Sequence, residues 1–229
     1  MEAVILAGGM GTRLREIISD VPKPMAPVNG KPFLYYVLKW LSSFKVEKLV
    51  LSTGYKSESI IGYFGKSFLN IPVEYAVEDK PLGTGGGLLA AAGHTAGDNI
   101  LAVNGDTYFP IDLSRLCSAH TKKNSLFTVA LKKMKDFSRY GAVDINGDNI
   151  IMFNEKKFCR EGLINGGIYM LNRKVLSMEK FPGAFSLEKD LLEKMAGSSG
   201  LKSMVFDDPF LDIGIPEDYE KAASFLKEN

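Results

Sequence analysis

Little in this 229-residue sequence serves the commonest metal and covalent chemistries. There are two histidines, His94 and His120, too few for a His-rich zinc site. The two cysteines, Cys117 and Cys159, lack CxxC spacing, which excludes a disulfide framework and leaves a single bridge open. No apolar run approaches the ~20 residues of a membrane span, and no signal-peptide pattern precedes the first strand, so a cytoplasmic protein is expected. Lys and Arg number 28 against 27 Asp and Glu, a formal charge of +1. Such a balance provides no global field to draw a nucleic acid or an anionic membrane, although a small anion can still be held locally. Linkers, internal repeats and low-complexity tracts are lacking too.

What is present is ordinary for a folded chain: 45% hydrophobic and 24% charged residues, enough to bury a core without disulfides. The order of elements is informative. "AVILA" (3–7) is a continuous apolar run that ends at glycine, as in a strand buried on both faces. "FLYYVLKWLSSF" (33–44) sets Leu34, Val37, Leu38, Leu41 and Phe44 on one helical face. "KLVLST" (48–53) follows as a strand, completing a βαβ pattern. "VEYAV" (73–77) alternates like a strand, "GGLLAAAGHTA" (86–96) reads as a helix, and "ILAVNGD" (100–106) is a buried strand ending in a carboxylate.

Beyond that point the pattern turns antiparallel. Strands are expected at 126–131, 141–145, 150–153 and 164–171, with "NGDN" (146–149) as a hairpin turn. Helices are expected at 186–196 and 216–227, around a short strand at 203–206. The fold class is therefore α/β, a Rossmann-like doubly wound mixed sheet. Residues 1–229 read as a single domain whose N-terminal half holds one ligand and whose C-terminal half covers another. His94 and His120 are expected on helix surfaces, and Trp40 in helix packing. Composition does not fix whether the chain forms a homo-oligomer.

Two segments carry chemistry. In "LAGGMGTRLR" (6–15), Gly8, Gly9 and Gly11 allow a sharp turn with close ligand approach, and Arg13 and Arg15 add forked donors for phosphate oxygens. It is not a dinucleotide fingerprint, because Leu14 stands where a third glycine is needed, and no Gly-Lys-Ser/Thr makes it a Walker loop. In "VPKPMAPVNGKPF" (21–33), Pro22 and Pro24 stiffen the chain on both sides of Lys23, so that Lys23 is held rather than swept through solvent.

Together these segments closely resemble the signature of the sugar-phosphate nucleotidyltransferases. The resemblance runs through "LGTGGGLLAA" (82–91), "VNGD" (103–106), "NEK" (154–156), "INGGIY" (164–169) and "DIGIPEDY" (212–219), in the family's order. Ile215 departs from it, since threonine is commoner there. The ensemble is most similar to the branch that uses GTP and a heptose 1-phosphate.

The resemblance implies attack of a sugar 1-phosphate oxygen on the α-phosphorus of a nucleoside triphosphate, with pyrophosphate leaving, in a route that supplies capsule or surface polysaccharide. The attacking phosphate is already ionised at neutral pH, so positioning and positive charge should carry the catalysis, and no histidine triad is needed. Arg13 and Lys23 would be the catalytic cations. Leu6, Ala7, Gly8, Gly9, Gly11, Thr12, Glu78, Gly83, Thr84, Gly85 and Asp106 would surround the nucleotide. Asp106 and Asp212 would hold Mg²⁺, which commonly takes one or two carboxylates plus phosphates and waters. Gly141, Glu155, Lys156, Asn165 and Gly166 would meet the sugar phosphate. Glu78 falls where the similar thymidylyltransferases carry a base-reading glutamine. As an acceptor-only carboxylate it suits the two adjacent donors of guanine. Taken singly, Asp106 also suits a turn, Asp212 a helix cap and Glu155–Lys156 a solvated charge pair. A nucleotide-sugar-binding regulatory module, or the same chemistry with another base or sugar, are the competing readings.

Overall fold

The computed structural model describes residues 1–9, 18, 20–178, 180, 181 and 183–226. Its centre is a ten-stranded mixed sheet with helices on both faces. Strand β1 (Glu2–Leu6) lies in the middle of the parallel half. After a small hairpin, β2 (Pro27–Val28) and β3 (Lys31–Pro32), come α1 (Phe33–Ser42), β4 (Lys48–Thr53), α2 (Ser57–Phe64), β5 (Ser67–Phe68), β6 (Ile71–Val77), α3 (Gly83–Ala92) and β7 (Asn99–Asn104). β4 and β7 flank β1 in parallel register, Glu2 opposite Lys48 and Ala3 opposite Leu101, and β6 pairs in parallel outside β4. This is the βαβ arrangement that the apolar runs predict; β1, β4 and β7 are buried on both faces, while β6 buries only Val73 and Ala76.

The antiparallel half begins with β8 (Thr107–Tyr108) and α4 (Leu113–Lys122). Then follow β9 (Phe127–Phe137), β10 (Gly141–Asn146), β11 (Asn149–Lys156) and β12 (Cys159–Asn172). The 14-residue β12 joins the halves, pairing antiparallel with both β7 and β9. Its register slips between Asn165 and Tyr169, where Gly167 takes φ +72°, a conformation that glycine adopts without a Cβ penalty. The expected hairpin is there, with Asn146 opposite Asn149 and Gly147 at φ +60°. β10 also touches β12, at Ala142 opposite Ile164, which curls this end of the sheet. A π-helical turn (Leu187–Leu192) runs into the short α5 (Glu193–Met195), followed by β13 (Leu201–Phe206), β14 (Leu211–Asp212) and α6 (Pro216–Phe225).

Two cores cover the two faces. Ala3 and Ile5 point into one with α1, and Val4 into the other with α3. Leu34, Val37, Leu38 and Leu41 of α1 are fully buried, so Leu38→Ala would cost about 2–5 kcal/mol. Trp40 packs edge-to-face on Phe44 in the same core, as helix packing requires.

Three expectations need correction. α3 starts at Gly83, three residues earlier than the pattern suggests, and stops at Ala92, because its glycines are packing positions rather than helix breakers. The helix expected over 186–196 is mostly a π turn. His120 is buried rather than on a surface: its ring nitrogens lie 2.8 Å from Thr128 Oγ1 and 3.3 Å from Asn99 Oδ1. His94 is exposed beside Glu74, as expected, but in the turn after α3 rather than on a helix.

Candidate functional site

The carboxyl ends of β1, β4, β6 and β7 open onto one cavity of about 430 Å³, the place where open α/β sheets bind ligands. Backbone bonds fix its floor: Ala7 N–H donates to Ser52 O at 2.8 Å, Gly105 N–H to Leu6 O at 2.9 Å and Glu78 N–H to Thr53 O at 2.7 Å. Leu6, Ala7, Gly8, Gly9, Lys23, Glu78, Gly83, Thr84 and Asp106 all line it, as do Ser52 and Asn104. Gly11, Thr12, Arg13 and Arg15 lie outside the described residues.

Lys23 opens a single 3₁₀ turn (Lys23–Met25), closed by Met25 N–H on Pro22 O at 2.7 Å and anchored by buried Pro24 and Met25. Its ammonium sits 2.6 Å from Asp106 Oδ2 and 3.5 Å from Asp212 Oδ1. The two carboxylates are far apart in sequence and are joined by the β8–β14 pairing, with Thr107 opposite Asp212 and Ile213 N–H donating to Asp106 O at 3.2 Å. Asp212 is held from its other side by Tyr140, whose hydroxyl donates to Oδ2 at 3.2 Å. Burial, and then the neighbouring Asp212 charge, raise the Tyr140 phenol well above its ordinary pKa, so it remains a donor. Arg139 donates to the Tyr140 oxygen at 2.8 Å and pairs with Asp218. Behind this wall lies a second cavity of about 390 Å³, lined by Arg139, Tyr140, Asp212 and Asp218 among others.

Glu78 occupies the far end of the first cavity. Ser52 Oγ donates to its Oε1 at 2.9 Å, and Leu82 N–H to its Oε2 at 3.0 Å. Gly8 and Gly87 press on the same carboxylate, since a Cβ on either would come 2.7 Å from Oε1. The side chain is therefore clamped in one rotamer.

Other predicted residues sit differently. Gly85 is not on the cavity wall: a Cβ there would meet the Phe185 ring at 2.2 Å, and its N–H donates to Phe185 O at 3.0 Å. Gly83, at φ +71°, also backs onto Phe185. The start of α3 is thus capped by the 183–188 segment, with Thr84 Oγ1 donating to Glu188 at 2.8 Å. Gly166 is buried against the Phe109 ring and Ala130 O, where the reading placed it near a sugar. Gly141 faces Asn154 O. Asn165 is engaged within the fold, donating to Tyr169 Oη at 3.0 Å and accepting from Gly167 N–H at 3.0 Å. Glu155 and Lys156 are exposed at the end of β11, with Lys156 opposite Gly141. Sequence reading missed Ser52, Asn104, Arg139 and Tyr140. Only Asn104 carried a signal, lying within "VNGD" (103–106) beside Asp106.

Among the described residues no cluster of three or more His, Cys, Asp or Glu side chains gathers. Asp106 and Asp212 nevertheless converge on one cation, the Lys23 ammonium, and their oxygens are the hard donors that Mg²⁺ takes when phosphates complete its shell. The arrangement fits a divalent ion shared with a polyphosphate.

A doubly wound sheet with two carboxylates and a lysine at the strand ends is the framework of an enzyme that handles phosphate esters. The match to the family described as Nucleotidyl transferase extends over residues 2–229, and the chain belongs to that family. It is 43% identical over 227 residues to the D-glycero-alpha-D-manno-heptose 1-phosphate guanylyltransferase of Aneurinibacillus thermoaerophilus, covering 99% of both chains. The enzyme of that name from Campylobacter jejuni is 43% identical over 220 residues, covering 96% of this chain and 97% of that one. HddC from Yersinia pseudotuberculosis, crystallised in complex with GMP-PN, superposes with a TM-score of 0.89 at 36% identity over 99% of both chains. No described helix is long and apolar enough to cross a membrane.

Proposed function

We propose that this chain transfers a guanylyl group from GTP to D-glycero-α-D-manno-heptose 1-phosphate. A phosphate oxygen of the sugar attacks the α-phosphorus, the bond from that phosphorus to the bridging oxygen breaks, and pyrophosphate leaves. The products are a GDP-heptose and pyrophosphate. The chain acts as a single nucleotidyltransferase domain, with the nucleotide on its N-terminal half and the sugar on its C-terminal half. The observation that carries the reading is the convergence of Asp106 and Asp212 on Lys23, with Lys23 and Asp106 sharing one cavity with the clamped Glu78. The near full-length likeness to guanylyltransferases supports the choice of base and sugar.

Each residue has a task in this scheme. Gly8 and Gly9 bring backbone to the triphosphate, and Arg13 supplies charge as pyrophosphate departs. Lys23 neutralises the reacting phosphates. Asp106 and Asp212 hold Mg²⁺, which when bound supplies the double positive charge that lets two anions approach. Glu78 accepts from guanine N1–H and the exocyclic amine with the lone pairs left free by Ser52 and Leu82. Thr84 and the Gly83 turn shape the wall beside the base. Glu155 and Lys156 meet the sugar hydroxyls and its phosphate.

The test is a matrix of nucleoside triphosphates against heptose, hexose and amino-sugar 1-phosphates, read by pyrophosphate release. GTP with the heptose phosphate should give the largest kcat/KM. Binding of both substrates without release would favour a regulatory module instead.

A further inference from the structure

We propose that Lys23 is a resident counter-cation of the Asp106–Asp212 pair: it must leave the pair before a divalent ion is held there, and the incoming triphosphate is what draws it away. This rests on the reading that the two carboxylates bind the metal.

The geometry makes the two cations rivals. The ammonium uses Asp106 Oδ2 at 2.6 Å and faces Asp212 Oδ1 at 3.5 Å. Asp106 lines the first cavity together with Lys23, and Asp212 lines the second, behind it. Asp212 Oδ2 is held by Tyr140, with the Arg139 guanidinium 3.9 Å away, and Asp106 Oδ1 meets the Thr107 hydroxyl at 3.4 Å. A divalent ion bonded to both aspartates at about 2.1 Å would lie within a few ångströms of the ammonium. Like charges so close in a partly buried site repel strongly. The side chain of Lys23 is only 11% exposed, so solvent screens that repulsion poorly.

The same geometry leaves a way out. The backbone of Lys23 is fixed by its 3₁₀ turn and by buried Pro24 and Met25, whereas its four-carbon stem retains rotamers. Lys23 lines the same cavity as Gly8 and Gly9. A triphosphate against those glycines offers the ammonium a new anionic partner without backbone movement. Once the lysine turns to phosphate, both carboxylates are free for the ion that the nucleotide carries. Free metal is therefore bound weakly and metal–nucleotide strongly, a positive coupling between the two ligands. The device ensures that the metal is seated together with its substrate.

The proposal predicts a change of sign that a scaffolding lysine would not give. Mn²⁺ binding is measured by the EPR signal of the free ion, for the full chain with and without the β,γ-imido analogue of GTP. Without nucleotide, Lys23→Met should bind Mn²⁺ roughly tenfold tighter than the wild type, the scale of one partly buried charge contact. With the analogue, the same variant should bind the metal more weakly than the wild type. Lys23→Gln should show the same crossover and serves as the second variant if Lys23→Met folds poorly. Equal or weaker binding of free Mn²⁺ by both variants would overturn the proposal. Asp106→Asn and Asp212→Asn in the Lys23→Met background separate the two claims. They should abolish the tight site, and binding unchanged in both would show that the pair is not the metal site at all.

Discussion

The wall proposed for the nucleotide and the wall proposed for the sugar are finished to different degrees. On the wall formed by the parallel strands, Glu78 is clamped by Ser52, Leu82 and two glycines, and the backbone of Lys23 is fixed by its 3₁₀ turn. On the antiparallel wall, the side chains of Glu155 and Lys156 stand in solvent with no hydrogen-bond partner among the described residues. One wall is preorganised before any ligand arrives; the other must take its geometry from the ligand. A rigid base rewards a fixed pocket around Glu78, because little side-chain entropy is lost there on binding. A polyhydroxylated sugar can order long, exposed side chains as it binds. Damage to the first wall should therefore fall on kcat and base choice, and damage to the second on sugar affinity.

The largest expected effect is Asp106→Asn. It keeps the size of the side chain and removes the anionic ligand. Its kcat should fall by about 10²–10³-fold, the scale for one preorganised electrostatic contact, with the melting temperature little changed. Pyrophosphate release under saturating substrates measures it. Near-normal turnover would mean that the fixed wall is rigid for some reason other than catalysis.

Next in size is Glu78→Gln. Leu82 N–H is an obligate donor, so the new carboxamide must turn its oxygen there and its amine toward Ser52, whose hydroxyl can accept. The cavity then presents one donor and one acceptor in place of two acceptors. Preference for GTP over UTP should drop by roughly 10–100-fold, matching ~1–3 kcal/mol for a mismatched buried polar group. Competition between the two nucleotides would show it, and an unchanged ratio would place base discrimination elsewhere.

These residues also show where sequence was enough. The parallel half was legible because β1, β4 and β7 are largely apolar runs and β6 alternates, and Lys23, Asp106 and Asp212 because they sit in ordered motifs. α2 escaped notice since only Ile60 and Phe64 of its eight residues are buried. In α4 the buried positions Leu113, Leu116 and His120 follow helical spacing, but a polar residue disguises the face. Ser52 and Tyr140 could not be singled out, because a serine or tyrosine gains its meaning only from the register that sets it against Glu78 or Asp212. Conversely, Gly85 and Gly166 sit in motifs and still serve packing against Phe185 and Phe109.

The exposed wall has its own test. Lys156→Ala should weaken sugar 1-phosphate binding by roughly tenfold, as expected for loss of a charge-assisted contact, and leave GTP binding unchanged. Calorimetric titration of each ligand would separate the two. A selective loss of GTP affinity would move Lys156 to the other wall and dissolve the comparison.

The smallest effect concerns the seam between the halves. His120 on α4 reaches Thr128 on β9 and Asn99 on β7, so it belongs to neither wall and ties both together. Asn99 Oδ1 is an acceptor, which puts the ring proton on Nε2 and leaves Nδ1 to accept from the threonine hydroxyl. The neutral ring is thus satisfied on both sides. Burial lowers its pKa below the ordinary 6.5. The unfolded chain then binds the proton more readily than the folded one, and protonation favours unfolding. The contribution of His120 is complete above about pH 6.5 and is lost as pH falls from there toward the depressed folded value. Between pH 7.5 and 5.5 the melting temperature should decline, and His120→Gln, which keeps hydrogen-bonding capacity without titrating there, should flatten that decline. Base preference should not change across the same range, because the imidazole touches neither wall of the cleft. Parallel pH profiles of wild type and variant would remove His120 from the acid response, and a base preference that followed the imidazole would show that the seam transmits strain into the fixed wall.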